Sequence, residues 1–358
     1  MSSIFISRES NNYNMYHFFK IKFSIKIIFL LFMSICWGQW FSINHDSITR
    51  YYYMSYPSDS DFSDPPALII NMHGYGGNPQ NQLSSSEMDL FAHPRNIAVV
   101  YPQGAINGWG ITAWNIGTFW DQSNLDDVGF ISLMIDQIGN DFEIDLDRVY
   151  ACGMSNGGYM AYELACELED KIAAFGSVTG NFMLNTSSGQ ICEFTREVPI
   201  VHFHGTADST VDYYPPTFDQ ALAVSESIDF WSDYNDLNLE YIYQLNENVE
   251  IYKYYNQDST TEFLHYKVYG GGHTWFKESW GFHTSDQLIN FFLNYRLSDF
   301  FDEGIIGDIN NDLAVNILDV ILLVDLILDD IYLDDGDINN DQFLDILDIV
   351  EMVNIILN

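Results

Sequence analysis

The chain has 358 residues, 51 of them acidic against 13 basic, for a formal charge of −38 at pH 7. A surface that negative repels nucleic-acid phosphates and anionic lipid, which excludes both as partners. A hydrophobic share of 47% is enough for a buried core and excludes a disordered chain. Calcium binding and adaptation to salty surroundings both fit the acidity. The 23 tyrosines and 26 phenylalanines are read first as core, and second as contacts for aryl or carbohydrate groups.

In chain order, residues 1–38 read as an export signal. Lys20, Lys22 and Lys26 precede the apolar run Ile27 to Ile35, and Cys36-Trp37-Gly38 stands at the cleavage site before Gln39. That run is too short to span a bilayer. The expectation is a secreted chain, extracellular or attached at the cell surface, with no membrane span after processing. Met15 is an alternative start.

Thr49 to Tyr56 reads as a Tyr-rich strand, followed by the turn-forming stretch Asp59 to Pro66 and the apolar strand Ala67 to Met72. Ile97 to Tyr101 is a second apolar strand. Asp126 and Asp127 cap a helix in which Val128, Ile131, Met134, Ile135 and Ile138 recur at helical spacing. Arg148 to Cys152 is a strand, and a helix over Asn156 to Leu168 follows a glycine-rich turn. Ile172 to Val178 and Pro199 to Phe203 are further strands, and Ser225 to Tyr234 and Ser285 to Tyr295 further helices. Near-continuous apolar strands alternating with helices predict an α/β fold, a mostly parallel sheet covered on both faces, over residues 42–297. Residues 298–306 form a short acidic linker to a tail over 307–358.

Three cysteines follow the export segment. Cys152 lies inside an apolar strand and is expected free and buried. Cys166 and Cys192 flank a strand–loop unit and are the expected pair, with two buried thiols the alternative.

Gly153-Met154-Ser155-Asn156-Gly157 sits between a strand and a helix, which is what a nucleophilic serine requires. A sharp strand-to-helix turn presents the hydroxyl at a helix N-terminus, and flanking glycines leave room for it. A hydroxyl is a weak nucleophile and needs a base oriented by an acid. Asp208, in His204-Gly205-Thr206-Ala207-Asp208, follows a strand; His273, in Gly270-Gly271-Gly272-His273-Thr274-Trp275, follows another. The order Ser155, Asp208, His273 assigns nucleophile, orienting acid and general base, with Asp212 the second choice of acid. His73-Gly74-Tyr75-Gly76-Gly77, after the strand Ala67 to Met72, places an oxyanion donor at the Tyr75 N–H, and Asn156 supplies the other. No cofactor is needed for this chemistry.

These motifs, with Tyr101-Pro102-Gln103-Gly104, Trp114-Asn115 and Asp126-Asp127-Val128-Gly129-Phe130, resemble the polyhydroxybutyrate depolymerase and feruloyl esterase family of LpqC-like α/β-hydrolases, from about Arg50 to Arg296. The resemblance implies cleavage of carboxylic esters on a polymer: a polyester, or feruloyl or acetyl groups on a polysaccharide. It also supports the Cys166–Cys192 bridge. Phe276 and Tyr75 depart from the family pattern and are expected to border the acyl site, where Trp114 and Trp275 are the candidate pocket residues, with buried packing the alternative for each.

The tail repeats itself. Asp308, Asn310, Asp312, Asn316 and Asp319 recur as Asp337, Asn339, Asp341, Asp345 and Asp348, at positions one, three, five, nine and twelve of a loop. With the carbonyls of Ala314 and Phe343 at position seven, that is the spacing by which a loop wraps Ca²⁺, so two ions are expected. Each loop runs into an apolar helix, Val320 to Leu328 and Ile349 to Leu357. The duplicated unit resembles a dockerin type I domain, which implies docking on a cohesin-type module. Leu313 and Gln342 stand at position six, where an EF-hand has glycine. A catalytically inactive calcium-dependent binding protein is the alternative from another class.

Overall fold

The computed structural model describes residues 38–57, 62–117, 125–189, 191, 192, 195–217, 220–257, 261–301, 306–310, 312, 314–328, 331–339, 341 and 343–357. The charged and apolar parts of the export segment, part of the linker, and positions 313 and 342 lie outside the described residues.

In chain order come β1 (Gln39–His45), β2 (Ile48–Ser55), β3 (Ala67–Met72), α1 (Pro79–Ser86), α2 (Met88–Ala92), β4 (Ile97–Pro102), β5 (Ala105–Ile106) and β6 (Thr112–Ala113). Then follow α3 (Asp127–Asp141), β7 (Val149–Met154), α4 (Asn156–Glu167), β8 (Ala174–Val178), β9 (Ile200–Gly205) and α5 (Val224–Tyr234). The larger part ends with β10 (Leu239–Asn246), β11 (Val249–Tyr255), β12 (Glu262–Val268) and α6 (Thr284–Phe292), and the tail holds α7 (Ile317–Leu328) and α8 (Ile346–Leu357).

Ten strands form one sheet in the order β1-β2-β4-β3-β7-β8-β9-β12-β11-β10. The strands from β4 to β12 run parallel, and an antiparallel pair flanks them on each edge. β3, β4, β8 and β9 are buried at every residue, as unbroken apolar runs between two helical layers must be. Alternate residues feed opposite cores. Leu68, Ile70 and Met72 pack with Phe130 and Met134 on one face, and Ile69 with Val99, Tyr101 and Tyr150 on the other.

The edge strands β1, β10 and β11 and the helices α1 and α2 lie beyond the expected elements. Every residue of β10 but the last is exposed, so it has no buried face to impose a period. The helix α1 is mostly polar; it starts because the Asn78 side chain accepts the Asn81 N–H at 3.0 Å with Pro79 in the first turn. Of the two aspartates expected to cap α3, Asp126 does so, accepting the Gly129 N–H at 2.7 Å. Asp127 is instead buried against Arg50, whose guanidinium also lies over the Phe130 ring at 4.1 Å. Cys166 and Cys192 are bridged, with Cα atoms 5.3 Å apart, and Cys152 is free and buried, its thiol pushed up by burial.

α7 and α8 begin three residues earlier than the apolar runs suggested. The side chains of Asn316 and Asp345 cap them, accepting the N–H of Leu318 at 2.9 Å and of Leu347 at 2.7 Å. Asp319 and Asp348 reach back to the N–H of those same caps, each at 2.8 Å, closing a capping box. Leu323 and Met352 form the buried seam between the two helices. Among the described residues, no helix is long and apolar enough to cross a membrane.

Burial raises the Glu163 carboxyl of α4 to about 7, although Oε1 accepts the Ser187 N–H at 2.6 Å. The folded chain therefore holds a proton there that the unfolded chain releases near pH 4.3, so this group's contribution is full below that pH and is lost as pH rises through about 7. Glu163→Gln should raise the thermal midpoint at pH 8 relative to the parent, by an amount corresponding to roughly 1–3 kcal/mol, and leave it unchanged near pH 4. Calorimetry across that range reads the difference.

Candidate active site

The carboxyl ends of β3, β7, β9 and β12 deliver four loops to one edge of the sheet, where parallel α/β sheets build their sites. Ser155 follows β7 with φ 55° and ψ −120°, a conformation costly for any residue but glycine. Its N–H donates to Val178 O at 2.8 Å, and its carbonyl accepts from Gly158 and Tyr159 at 2.7 and 2.9 Å. A side chain on Gly157 would collide with the backbone oxygens of Met72 and His73, so only glycine lets α4 pass this close to β3. The serine hydroxyl thus stands at the N-terminus of α4, whose first N–H groups have no partner within the helix.

Asp208 and His273, one loop after β9 and one after β12, meet: His273 Nδ1 lies 2.7 Å from Asp208 Oδ2. A carboxylate only accepts, so Nδ1 carries the proton and Nε2 is left with its lone pair. Burial alone would raise the Asp208 carboxyl. The hydrogen bonds from His273 and from the N–H groups of Val211 and Thr210, at 2.9 and 2.8 Å on Oδ1, outweigh it and hold the group below its ordinary value. Asp212 takes no part in this pairing; its N–H is held by Thr217 Oγ1 at 2.7 Å.

The loop after β3 crosses Ser155. A methyl group on Gly74 would lie 3.3 Å from Ser155 Cβ and 3.9 Å from its Oγ, so the loop passes within van der Waals contact of the serine side chain. The loop is held from three directions. His73 Nε2 accepts the Gly104 N–H at 2.9 Å, so its Nδ1 carries the proton and donates to Gly74 O at 2.7 Å. Burial lowers His73 to about 4, which keeps that neutral tautomer. Thr112 exchanges hydrogen bonds with Gly76 and Gly77 at 2.7 and 2.8 Å. Trp114 Nε1 donates to His73 O at 2.8 Å.

Trp114 takes the buried place that was its alternative to the acyl pocket. It is wholly buried, its ring against the loop, and its backbone N–H and C=O are bonded to the Asn156 side chain at 2.7 and 3.2 Å. One short strand ties the loop after β3 to the first residue of α4, and Asn156 acts in it through its amide as well as its position. Phe276, expected beside the acyl site, is also fully buried, whereas Tyr75 is 39% exposed and its hydroxyl accepts from Asn107 at 3.4 Å.

A cleft of about 390 Å³ opens beside the serine turn, lined by Met154, His273, Thr274, Trp275, Lys277 and Trp280 among others. Trp275 lies on its wall, largely buried, with Nε1 donating to Ser285 Oγ at 3.1 Å. The sequence reading passed over Lys277 and Trp280, although both follow His273 in the same loop. Lys277 Nζ pairs with Glu87 Oε1 at 3.0 Å, placing a cation on a cleft in an otherwise acidic protein.

In the tail, carboxylate oxygens of Asp308, Asp312 and Asp319 lie within 4.8 Å of one another. Asn310 Nδ2 donates to Asp312 Oδ2 at 2.8 Å, and Asn316 Nδ2 to Ala314 O at 2.9 Å. The second loop repeats the frame: Asp341 N–H donates to Asp337 Oδ1 at 3.0 Å and to Asn339 Oδ1 at 2.9 Å, Phe343 N–H to Asp341 Oδ1 at 3.0 Å, and Asn339 N–H to Asp348 Oδ1 at 3.3 Å.

Among known proteins, the acetyl xylan esterase from Aspergillus awamori superposes with a TM-score of 0.52 at 14% identity, over 72% of this chain and 100% of that one. The chain has an α/β-hydrolase fold. Within this chain, residues 60–222 match the phospholipase/carboxylesterase family; that span takes in Ser155 and Asp208 and stops short of His273. The bifunctional acetylxylan esterase/xylanase XynS20E of Neocallimastix patriciarum is 29% identical over 221 residues, 60% of this chain and 30% of its own. Feruloyl esterase B of Piromyces equi is 31% identical over 160 residues, 45% of this chain and 29% of its own. The chain thus spans about three-tenths of the length of these two relatives.

Gly74→Ala tests how tightly the loop approaches the serine. The added methyl meets Ser155 Cβ at 3.3 Å and Met154 O at 3.4 Å, so the loop must back away by a few tenths of an ångström. The turnover of an ester substrate should fall by about 10- to 100-fold, with the thermal midpoint nearly unchanged.

Proposed function

We propose that this chain is a serine carboxylic ester hydrolase acting on esters carried by a polymer. The observation that carries the reading is the His273–Asp208 pair at 2.7 Å, on a cleft that adjoins a serine held in a strained strand-to-helix turn. In the proposed cycle His273 Nε2 takes the proton of Ser155 Oγ as the oxygen attacks the ester carbonyl carbon. The N–H groups of Tyr75 and Asn156 receive the negative oxygen of the tetrahedral intermediate. The imidazolium, steadied by Asp208, then protonates the departing alcohol, leaving an acyl group on Ser155. Water repeats the sequence on the acyl-enzyme, releases the acid and restores the serine, so the cycle consumes only ester and water.

The relatives support the substrate class. The names of two of them speak of acetylxylan and feruloyl esters, which favours acetyl or feruloyl groups on polysaccharide over a polyhydroxyalkanoate backbone. Ser155→Ala should abolish hydrolysis of p-nitrophenyl acetate and methyl ferulate, by a factor on the order of 10⁴ or more, while the circular dichroism spectrum stays that of the parent. Undiminished turnover in that variant would falsify the nucleophile assignment.

The proposal extends to the ends of the chain. Residues 1–38 export it, and the tail over 307–358 is a dockerin-like unit that binds two Ca²⁺ and docks on a cohesin-type module. The oxygen-only donor set supports a hard cation. Carboxylates as near as those of Asp308, Asp312 and Asp319 repel one another, and no lysine or arginine follows Arg296 to offset them. Asp308, Asn310, Asp312, Asn316 and Asp319 would hold one ion with the Ala314 carbonyl, and Asp337, Asn339, Asp341, Asp345 and Asp348 the other with that of Phe343. Bound cations there would let the loops close without charge repulsion. Calcium added to the chelated full-length chain should raise the unfolding temperature of one calorimetric transition by several degrees and leave esterase activity on small esters unchanged. A thermogram indifferent to calcium would dispose of the metal-folded tail.

A further inference from the structure

Three more histidines stand behind Asp208, and the proposed cycle uses none of them. His202 and His204 are two residues apart in β9 and so face the same side of the sheet. His265 lies opposite His202 in the parallel register of β12. All three are buried, with ring centroids 5.3 Å apart for His202–His204 and 5.2 Å for His202–His265. Burial lowers every one of them: His202 well below its ordinary value, His204 to about 4 and His265 to about 3. They are neutral at pH 7.

A neutral imidazole has one N–H and one lone pair, and fixed partners decide which nitrogen is which. A carbonyl only accepts. His204 Nε2 lies 2.9 Å from Val211 O, so Nε2 carries the hydrogen and Nδ1 accepts. The donor to that Nδ1 is His202 Nε2–H, at 3.2 Å. That leaves His202 Nδ1 as an acceptor, and no donor reaches it among the described residues. His265 Nδ1 lies 3.2 Å from His202 O and must donate, so its Nε2 accepts from the Tyr213 hydroxyl at 2.9 Å. The hydrogen bonds form a chain in two segments, from the Tyr213 hydroxyl through the His265 ring to the His202 backbone carbonyl, and from the His202 ring through His204 to the Val211 carbonyl.

Both ends of that chain belong to the loop that carries Asp208. Val211 and Tyr213 are tied to the sheet from outside the loop, while inside it the N–H groups of Thr210 and Val211 grip Asp208 Oδ1. The same carboxylate offers Oδ2 to His273 at 2.7 Å, and His204 Nε2 stands 3.6 Å from that oxygen with its hydrogen turned to Val211. A cationic ring at that distance would draw the Asp208 charge away from His273; a neutral ring bonded to Val211 leaves it whole.

We propose that His204, with His202 behind it and His265 at the far end of the loop, is a positioning residue for Asp208, fixing the Val211 carbonyl and thereby the N–H groups that aim the carboxylate at His273. This rests on the reading of Asp208 as the acid that orients the general base.

The test is steady-state hydrolysis of p-nitrophenyl acetate by the full chain and its Asp208→Asn, His204→Phe, His204→Gln and Tyr213→Phe variants, each checked for folding by thermal melt. Asp208→Asn should lose on the order of 10³- to 10⁴-fold in kcat. His204→Phe should lose about 10- to 100-fold in kcat with KM within about twofold of the parent, because the aim of the carboxylate has loosened and the substrate cleft has not changed. His204→Gln, which can present an N–H to Val211 O, should recover most of that loss. Tyr213→Phe removes only the hydroxyl at the far end and should cost a smaller factor in kcat, again at constant KM; it carries the test if His204→Phe does not fold. A His204→Phe enzyme with parental kcat, or equal losses in the Phe and Gln variants, overturns the positioning role while the acid assignment stands. An active Asp208→Asn enzyme overturns the acid assignment itself.

Discussion

The contact on which the site depends is backbone against backbone. α4 passes so near the end of β3 that no side chain fits at Gly157, and this closeness is possible only if β7 turns abruptly at Ser155. The unfavourable φ of 55° there is sustained by three backbone hydrogen bonds and by the burial of α4 over nearly its whole length. A looser turn would let the serine relax into an ordinary helix cap, with its hydroxyl spent on the helix. The strain keeps it available.

Two further devices carry that rigidity outward. Trp114, just after β6, bonds to the Asn156 side chain on one side and to the loop after β3 on the other, so the candidate oxyanion donors are positioned from one buried segment. On the opposite side, the loop of Asp208 is anchored through imidazoles that burial holds neutral. Polar groups buried this deeply are costly unless every hydrogen has an acceptor. Here the partners dictate the tautomers, and the same hydrogen bonds that offset burial also locate the groups proposed to react.

The protein is therefore rigid where its proposed chemistry is and strongly charged elsewhere. Lys277 and Glu87 pair at the cleft, Arg50 and Asp127 inside the core, and the carboxylates crowd in the tail beyond the last basic residue. The tail helices start from capping boxes whose acids, Asp319 and Asp348, are also the twelfth residues of the two loops. Loop and helix are then one unit, and a cation seated among the loop carboxylates would act on the helix start directly.

Much of this was legible in the chain itself. Apolar runs such as Ala67–Met72 specify buried parallel strands, because a strand covered on both faces must be apolar at every position, and the order of turns between them sets the α/β-hydrolase layout. The turn at Ser155 follows from local pattern in the same way, while the Cys166–Cys192 bridge was the expected pairing and two free thiols the alternative. Edge strands escaped, since exposed β10 has no buried face to write a period. Which aspartate meets His273, why Trp114 faces inward, and how three histidines align behind Asp208 were settled only by tertiary structure. Those facts depend on the register between strands 63 residues apart in sequence, as at His202 and His265, and on the angle of loops leaving the sheet. A sequence states which residues can donate, accept or pack; only the assembled sheet brings the partners within hydrogen-bonding distance.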